Sequence, residues 1–232
     1  MLKQRIITAL ILAPIAIGGF FFLSPFYFAW FTGLIIALGA WEWANLAGFE
    51  QPLPRWGYAA GVGLALGLST LVSPLLWLGL ALAVWAVAFV MIRSYPQGVA
   101  LWGDPWRRLV LGLLVLIPAW AGLNVLRTWT LDLGALNNNA LLLLYVFCIV
   151  WAADVGAYFA GRAFGRAKLA PNVSPGKSWA GVYGGLASVA LLAAGVAWFS
   201  SISLGVAILL VVASLVTAMV SVIGDLFESM LK

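Results

Sequence analysis

Residues 139–181, NALLLLYVFCIVWAADVGAYFAGRAFGRAKLAPNVSPGKSWAG, join an apolar run to the most polar stretch of the chain. The run from 139 to 161 is about long enough to cross a bilayer as a helix. From Ala153 to Gly181 the chain then carries one acid, four cations, two prolines and five glycines. An acid such as Asp154, near the end of an apolar run, costs several kcal/mol if it stays unpaired in hydrocarbon. Any chemistry of this chain is therefore expected at this junction.

The rest of the sequence sets the frame. The chain is 65% hydrophobic and only 8% charged, with a mean hydropathy of +1.10. A soluble core cannot bury that much apolar surface, so the chain belongs to the polytopic membrane class. Breaks at Gly, Pro and charge clusters leave about eight apolar spans: 6 to 23, 26 to 48, 57 to 73, 75 to 92, 108 to 128, 139 to 161, 179 to 200 and 203 to 226. The expected fold is an all-α, polytopic transmembrane helical bundle, with residues 1–232 forming one integral membrane domain. Pro14 and Pro118 fall inside spans and are expected to kink them. Turns are expected at Ser24-Pro25, Glu50 to Pro54, Ser73-Pro74, Tyr95 to Asp104, Asn137 to Asn139, and across a loop from Arg162 to Lys177.

Charge fixes an orientation. With the N-terminus in the cytoplasm, Lys3, Arg5, Arg55, Arg93, Arg107, Arg108, Arg162, Arg166, Lys168, Lys177 and Lys232 all fall inside, and only Arg127 falls outside. That bias obeys the positive-inside rule and predicts a multi-pass protein of the cytoplasmic membrane with the basic loop in the cytoplasm. The net charge of +5 is thereby explained without nucleic acid, and no such partner is expected. Lone Cys148 gives no disulfide, and the absence of histidine argues against a histidine base or zinc ligand.

In this orientation Glu42, Asp154, Asp225 and Glu228 share the cytoplasmic leaflet. For Glu42, between Trp41 and Trp43, pairing at the interface accounts for the residue as well as chemistry does. Asp154, Tyr158 and Arg162 follow each other at i, i+4 and i+8, one helical face leading into the basic loop. A buried ion pair that holds the helix would give the same spacing. Asp225 and Glu228, at i and i+3, are two nearby carboxylates of the kind that suits a hard divalent cation. Ser174-Pro175-Gly176-Lys177-Ser178 resembles the end of a phosphate-binding loop, but Pro171 stands where that motif needs glycine. What it still offers is a lysine and backbone N–H groups at the start of a helix, where anions are favoured. The Gly181, Gly184 and Gly185 group reads as helix packing rather than substrate contact. Such a pocket suits phosphoryl chemistry, in which the nucleophile already carries charge and the protein neutralises and aligns. An ion-coupled secondary transporter using the intramembrane acids is the rival reading.

These segments resemble the bacterial phosphatidate cytidylyltransferases, also called CDP-diacylglycerol synthases. The likeness is carried by MLKQRIITALILAPIAI at the start, AWEWANLAGF at 40–49, ADVGAYFAGRAFGRAKLAPNVSPGKSWAGVYGG at 153–185 and SVIGDLFESMLK at 221–232. Where the family more often has Lys-Thr, this chain has Lys177-Ser178, which keeps the hydroxyl. The resemblance implies transfer of a cytidylyl group from CTP to phosphatidate at the cytoplasmic face, giving CDP-diacylglycerol and pyrophosphate. It implies Mg²⁺ as cofactor, with Asp225 as a metal ligand supported by Glu228. Asp225, Lys177 and Asp154 are then the candidate catalytic residues, and Arg162, Lys168, Ser174, Lys177 and Ser178 the candidate substrate contacts. Membrane lipid is an expected partner, and a homodimer is compatible with the sequence. The family signature continues past the position of Lys232 with a further aspartate, so a site without it is expected to hold Mg²⁺ poorly and residues 1–232 alone to insert in the membrane with little or no cytidylyl transfer activity.

Overall fold

The computed structural model describes residues 2–129 and 138–232, with side chains from Leu10 onward. Asn137, part of one expected turn, lies outside the described residues. Eight long helices correspond to the eight spans: α1 (Leu2–Phe22), α2 (Pro25–Leu46), α3 (Pro52–Ser69), α4 (Pro74–Ser94), α6 (Pro105–Thr128), α7 (Asn139–Phe164), α8 (Trp179–Phe199) and α9 (Leu204–Leu231). A single turn, α5 (Val99–Trp102), lies between α4 and α6. Five of these, α4, α6, α7, α8 and α9, are long and apolar enough to cross a membrane. Helices α2 and α3 fall short because α2 carries Glu42 and three tryptophans, and α3 opens with Pro52, Pro54 and Arg55.

Punctuation in the sequence sets the helix ends. Proline occupies the first turn of α2, α3, α4 and α6, where its missing N–H costs nothing. Asp104 caps α6 by accepting from the Trp106 and Arg107 N–H groups at 3.0 and 3.4 Å. Helix α2 stops at Gly48, whose φ of 101° suits only glycine. There the Gly48 and Phe49 N–H groups donate back to the Asn45 and Ala44 carbonyls, closing the end. Pro14 and Pro118 lie within α1 and α6, which continue through them.

The surface inverts the pattern of a soluble bundle. Leu64, Leu82, Leu191 and Phe199 are among the many large apolar side chains facing outward, while Ala40, Ala193, Ala218 and Ser214 are buried. Helices in lipid gain little from burying apolar area against each other, so small residues that permit close approach take the interior. A polar bond adds to this packing where α7 meets α9: the Tyr145 hydroxyl and Ser214 Oγ lie 2.6 Å apart, and Ser214 also donates to the Leu210 carbonyl. Tyr145→Phe is expected to destabilise the bundle by about 0.6–1.7 kcal/mol, the range of interhelical bonds in membranes. Unfolding of the purified protein in a denaturing detergent series measures it, and an unshifted midpoint would show the bond to be neutral.

One element departs from the all-α expectation. The expected loop from Arg162 to Lys177 contains the last turn of α7 and then an antiparallel hairpin, β1 (Lys168–Ala170) with β2 (Ser174–Ser178). Lys168 stands opposite Ser178, and Ala170 opposite Ser174. Two strands of three and five residues are too short for a sequence pattern to reveal them.

Candidate functional site

Three walls enclose a cavity of about 430 Å³ where α7 ends and α8 begins. The first two are α7 and α8, and they touch main chain to main chain. A Cβ added at Gly185 would lie 2.9 Å from the Ala153 carbonyl oxygen, and one at Gly184 would lie 2.7 Å from that of Gly156. The Gly181, Gly184 and Gly185 group is thus a packing seam, as its spacing implies. Close apposition brings Asp154, Tyr158 and Arg162 on α7 alongside the entry to α8.

Helix α9 and the hairpin form the third wall. Leu169, Ala170 and Val173 of the hairpin pack against a core that includes Leu226, Phe227 and Met230 of α9. The Trp179 N–H donates to the Ala167 carbonyl at 3.0 Å, closing the hairpin onto α8. This clamp delivers Lys177, on β2, to Asp225, on α9, with Nζ 2.9 Å from Oδ2. Lys177 is 28% exposed and Asp225 55%, so the pair is reachable from solvent.

Asp154 lines the same cavity, within Coulombic reach of both Asp225 and Lys177. Arg162 lines it as well and donates from Nη1 to the Tyr158 hydroxyl at 3.2 Å. The charged lining therefore consists of Asp154 and Asp225 against Arg162 and Lys177, formally neutral. Helix spacing anticipates the Asp154, Tyr158 and Arg162 face. The crossing of α7 and α9 that adds Asp225 has no local signal.

The remaining candidates divide. Ser178 lines the cavity but is only 6% exposed, and its hydroxyl accepts the Gly181 N–H at 3.2 Å as the cap of α8. Its first role is to start the helix. Lys168 and Ser174 sit on the hairpin outside the lining. Glu228 pairs with Lys232 at 2.7 Å and does not line the cavity. Glu42 lies outside the cavity lining and pairs with Arg55 at 3.5 Å. Arg55, 9% exposed, stacks on Trp41 with its guanidinium carbon 3.3 Å from the ring centre. Among the described residues no group of three or more His, Cys, Asp or Glu side chains gathers in metal-binding geometry. Ser221 lines the cavity one turn before Asp225 and was accessible to the same i, i+4 reasoning as Tyr158.

The Cytidylyltransferase family model matches residues 3–232. The chain belongs to the cytidylyltransferase family. Full-length relatives agree. It is 50% identical to a protein of Pseudomonas aeruginosa named phosphatidate cytidylyltransferase, over all of this chain and 84% of that protein. A Haemophilus influenzae protein of the same name is 41% identical over all of this chain and 86% of its own length. One from Brucella suis is 31% identical over all of this chain and 80% of its own length. No solved structure matches. These cytidylyltransferase relatives give no support to the rival transporter reading, and the cavity's acids lie toward one end of the bundle rather than at paired interrupted helices.

Proposed function

We propose that this multi-pass membrane protein transfers a cytidylyl group from CTP to phosphatidate, giving CDP-diacylglycerol and pyrophosphate. One observation carries the reading: Lys177 and Asp225, distant in sequence, meet at 2.9 Å in a cavity shared with Asp154 and Arg162. Cations to receive phosphates and carboxylates to hold a hard metal ion are the parts that this reaction requires. A phosphate oxygen of phosphatidate forms the new bond to the α-phosphorus of CTP, and the bond to the β-phosphate oxygen breaks to release pyrophosphate. A phosphate nucleophile is already an anion, so the reaction needs no histidine base.

The donor set fits Mg²⁺. That ion is commonly held by one or two carboxylates plus substrate phosphate oxygens, and Asp225 and Asp154 are two carboxylates on one cavity. When bound it would offset the charge that builds up on the phosphates as the bond to pyrophosphate breaks. Lys177 and Arg162 would hold the triphosphate in line, and the apolar residues of α8 and α9 that line the cavity would exclude water.

The direct test is the purified chain in lipid micelles with labelled CTP, phosphatidate and Mg²⁺, followed by chromatography of the lipid product. Label appearing in a lipid only when phosphatidate is present is the expected result. Label retained entirely in the aqueous phase, both with this chain and with one extended by a family C-terminal segment, would reject the reading.

The hairpin faces the cytoplasm of the bacterial inner membrane in this reading, with Arg127 on the other side. Single cysteines placed at Asn172 and Arg127, in a chain whose Cys148 is replaced, are expected to differ. The first should resist an impermeant thiol reagent in intact cells, and the second should react. The reverse pattern would invert the topology.

A further inference from the structure

Lys177 and Asp225 are the two groups that the proposed reaction assigns to different ligands, yet here each occupies the other. Their contact at 2.9 Å is a direct ion pair, and the hairpin that carries Lys177 is held against α9 by Leu169 and Val173 rather than by the pair alone. A divalent cation approaching Asp225 by itself therefore meets an ammonium already in place. It also meets a cavity whose two acids are offset by Lys177 and Arg162, with no net charge to draw it in.

We infer that the site takes its cation together with the nucleotide's triphosphate and not before it, because the Lys177 ammonium on Asp225 Oδ2 opposes a cation at this carboxylate until a phosphate draws it away. This inference rests on the proposed function and specifies the form of its substrate, a metal–nucleoside triphosphate complex. The exchange is balanced in charge: phosphate oxygens replace the carboxylate at Lys177, and the metal replaces the ammonium at Asp225. Lys177 is 28% exposed and lines the cavity, so its ammonium can reach a phosphate there without the hairpin moving. By linkage, the triphosphate and the cation must each tighten the binding of the other by the same factor.

Mn²⁺, a hard divalent ion visible by electron paramagnetic resonance, is the probe, titrated into the full chain in detergent with no phosphatidate present. For the unmodified chain, Mn²⁺ binding without nucleotide is expected to be weak and to tighten about tenfold with CTP. Lys177→Met is expected to bind Mn²⁺ alone about fivefold more tightly than the unmodified chain, since the competing ion pair is gone. Its CTP-linked gain should shrink. Lys177→Arg, which keeps the charge, should bind Mn²⁺ as weakly as the unmodified chain, and it guards against a Met variant that fails to fold. If Lys177→Met binds Mn²⁺ no more tightly, or Lys177→Arg binds it as tightly as Met does, the exchange is wrong. Turnover of CTP and phosphatidate by the unmodified chain is measured in parallel. Absence of tightening in Lys177→Met overturns the exchange alone, whereas labelled lipid absent both from this chain and from one extended by a family C-terminal segment overturns the function on which it rests.

Discussion

Asp225→Asn is expected to reduce cytidylyl transfer by about 100-fold or more relative to the unmodified chain, while the protein stays folded. The amide keeps the shape of the side chain and can still face Lys177, but it loses the negative charge that a hard divalent ion needs. Removing one preorganised oxyanion-hole donor costs acyl-transfer enzymes about two to three orders of magnitude, and the loss of a metal-binding charge is expected to be of that order. Folding should survive because Asp225 is more than half exposed, and exposed ion pairs contribute at most about 1 kcal/mol. The measurement is initial rate across a Mg²⁺ titration, beside a detergent unfolding curve. A variant that turned over normally at every Mg²⁺ concentration would remove Asp225 from the metal site and leave Asp154 as the first candidate.

Gly185→Val is expected to destabilise the protein by about 3 kcal/mol and to abolish activity with it. Overpacking usually costs about 1–3 kcal/mol because neighbouring side chains can give way. At Gly185 the neighbour is the main chain of Ala153, 2.9 Å from the added Cβ, and a helix backbone cannot rotate aside. The displaced segment also carries Asp154 and Arg162, so separation of α7 from α8 opens the cavity. Gly195→Ala on the same helix supplies the contrast. Nothing lies within 4 Å of its added Cβ, so the usual helix preference for alanine applies and stability should rise by up to about 1 kcal/mol. Unfolding midpoints of the two variants moving in the same direction would contradict the seam.

The long elements were legible because local rules fix them. Proline at the first turn, Gly48 after α2 and the alternation of charge with apolar runs mark the helices almost without reference to tertiary structure. Half of the site was legible for the same reason: Asp154, Tyr158 and Arg162 lie on one helix, where spacing is geometry. The hairpin was not, because strands this short are held by contacts with Phe227 and its neighbours rather than by their own residues. Nor did spacing reveal that Glu228, one turn from Asp225, turns to Lys232 instead. Closeness along a helix says which side chains can meet. It does not choose among partners supplied from elsewhere.

Arg108 shows a second use for a basic side chain at the ends of membrane helices. Its Nη1 donates to the Leu46 carbonyl at 3.1 Å and the Leu231 carbonyl at 3.3 Å, joining the ends of α2 and α9. Arg107 likewise donates to the Ala100 and Leu101 carbonyls, Arg55 holds Glu42, and Lys177 and Lys232 hold Asp225 and Glu228. Helix C-terminal ends carry negative partial charge, which suits Arg107 and Arg108 there without cancelling their own charge. The carboxylates beside Arg55, Lys177 and Lys232 do cancel charge locally. Adhesion to acidic lipid should therefore follow fewer cations than the sequence contains.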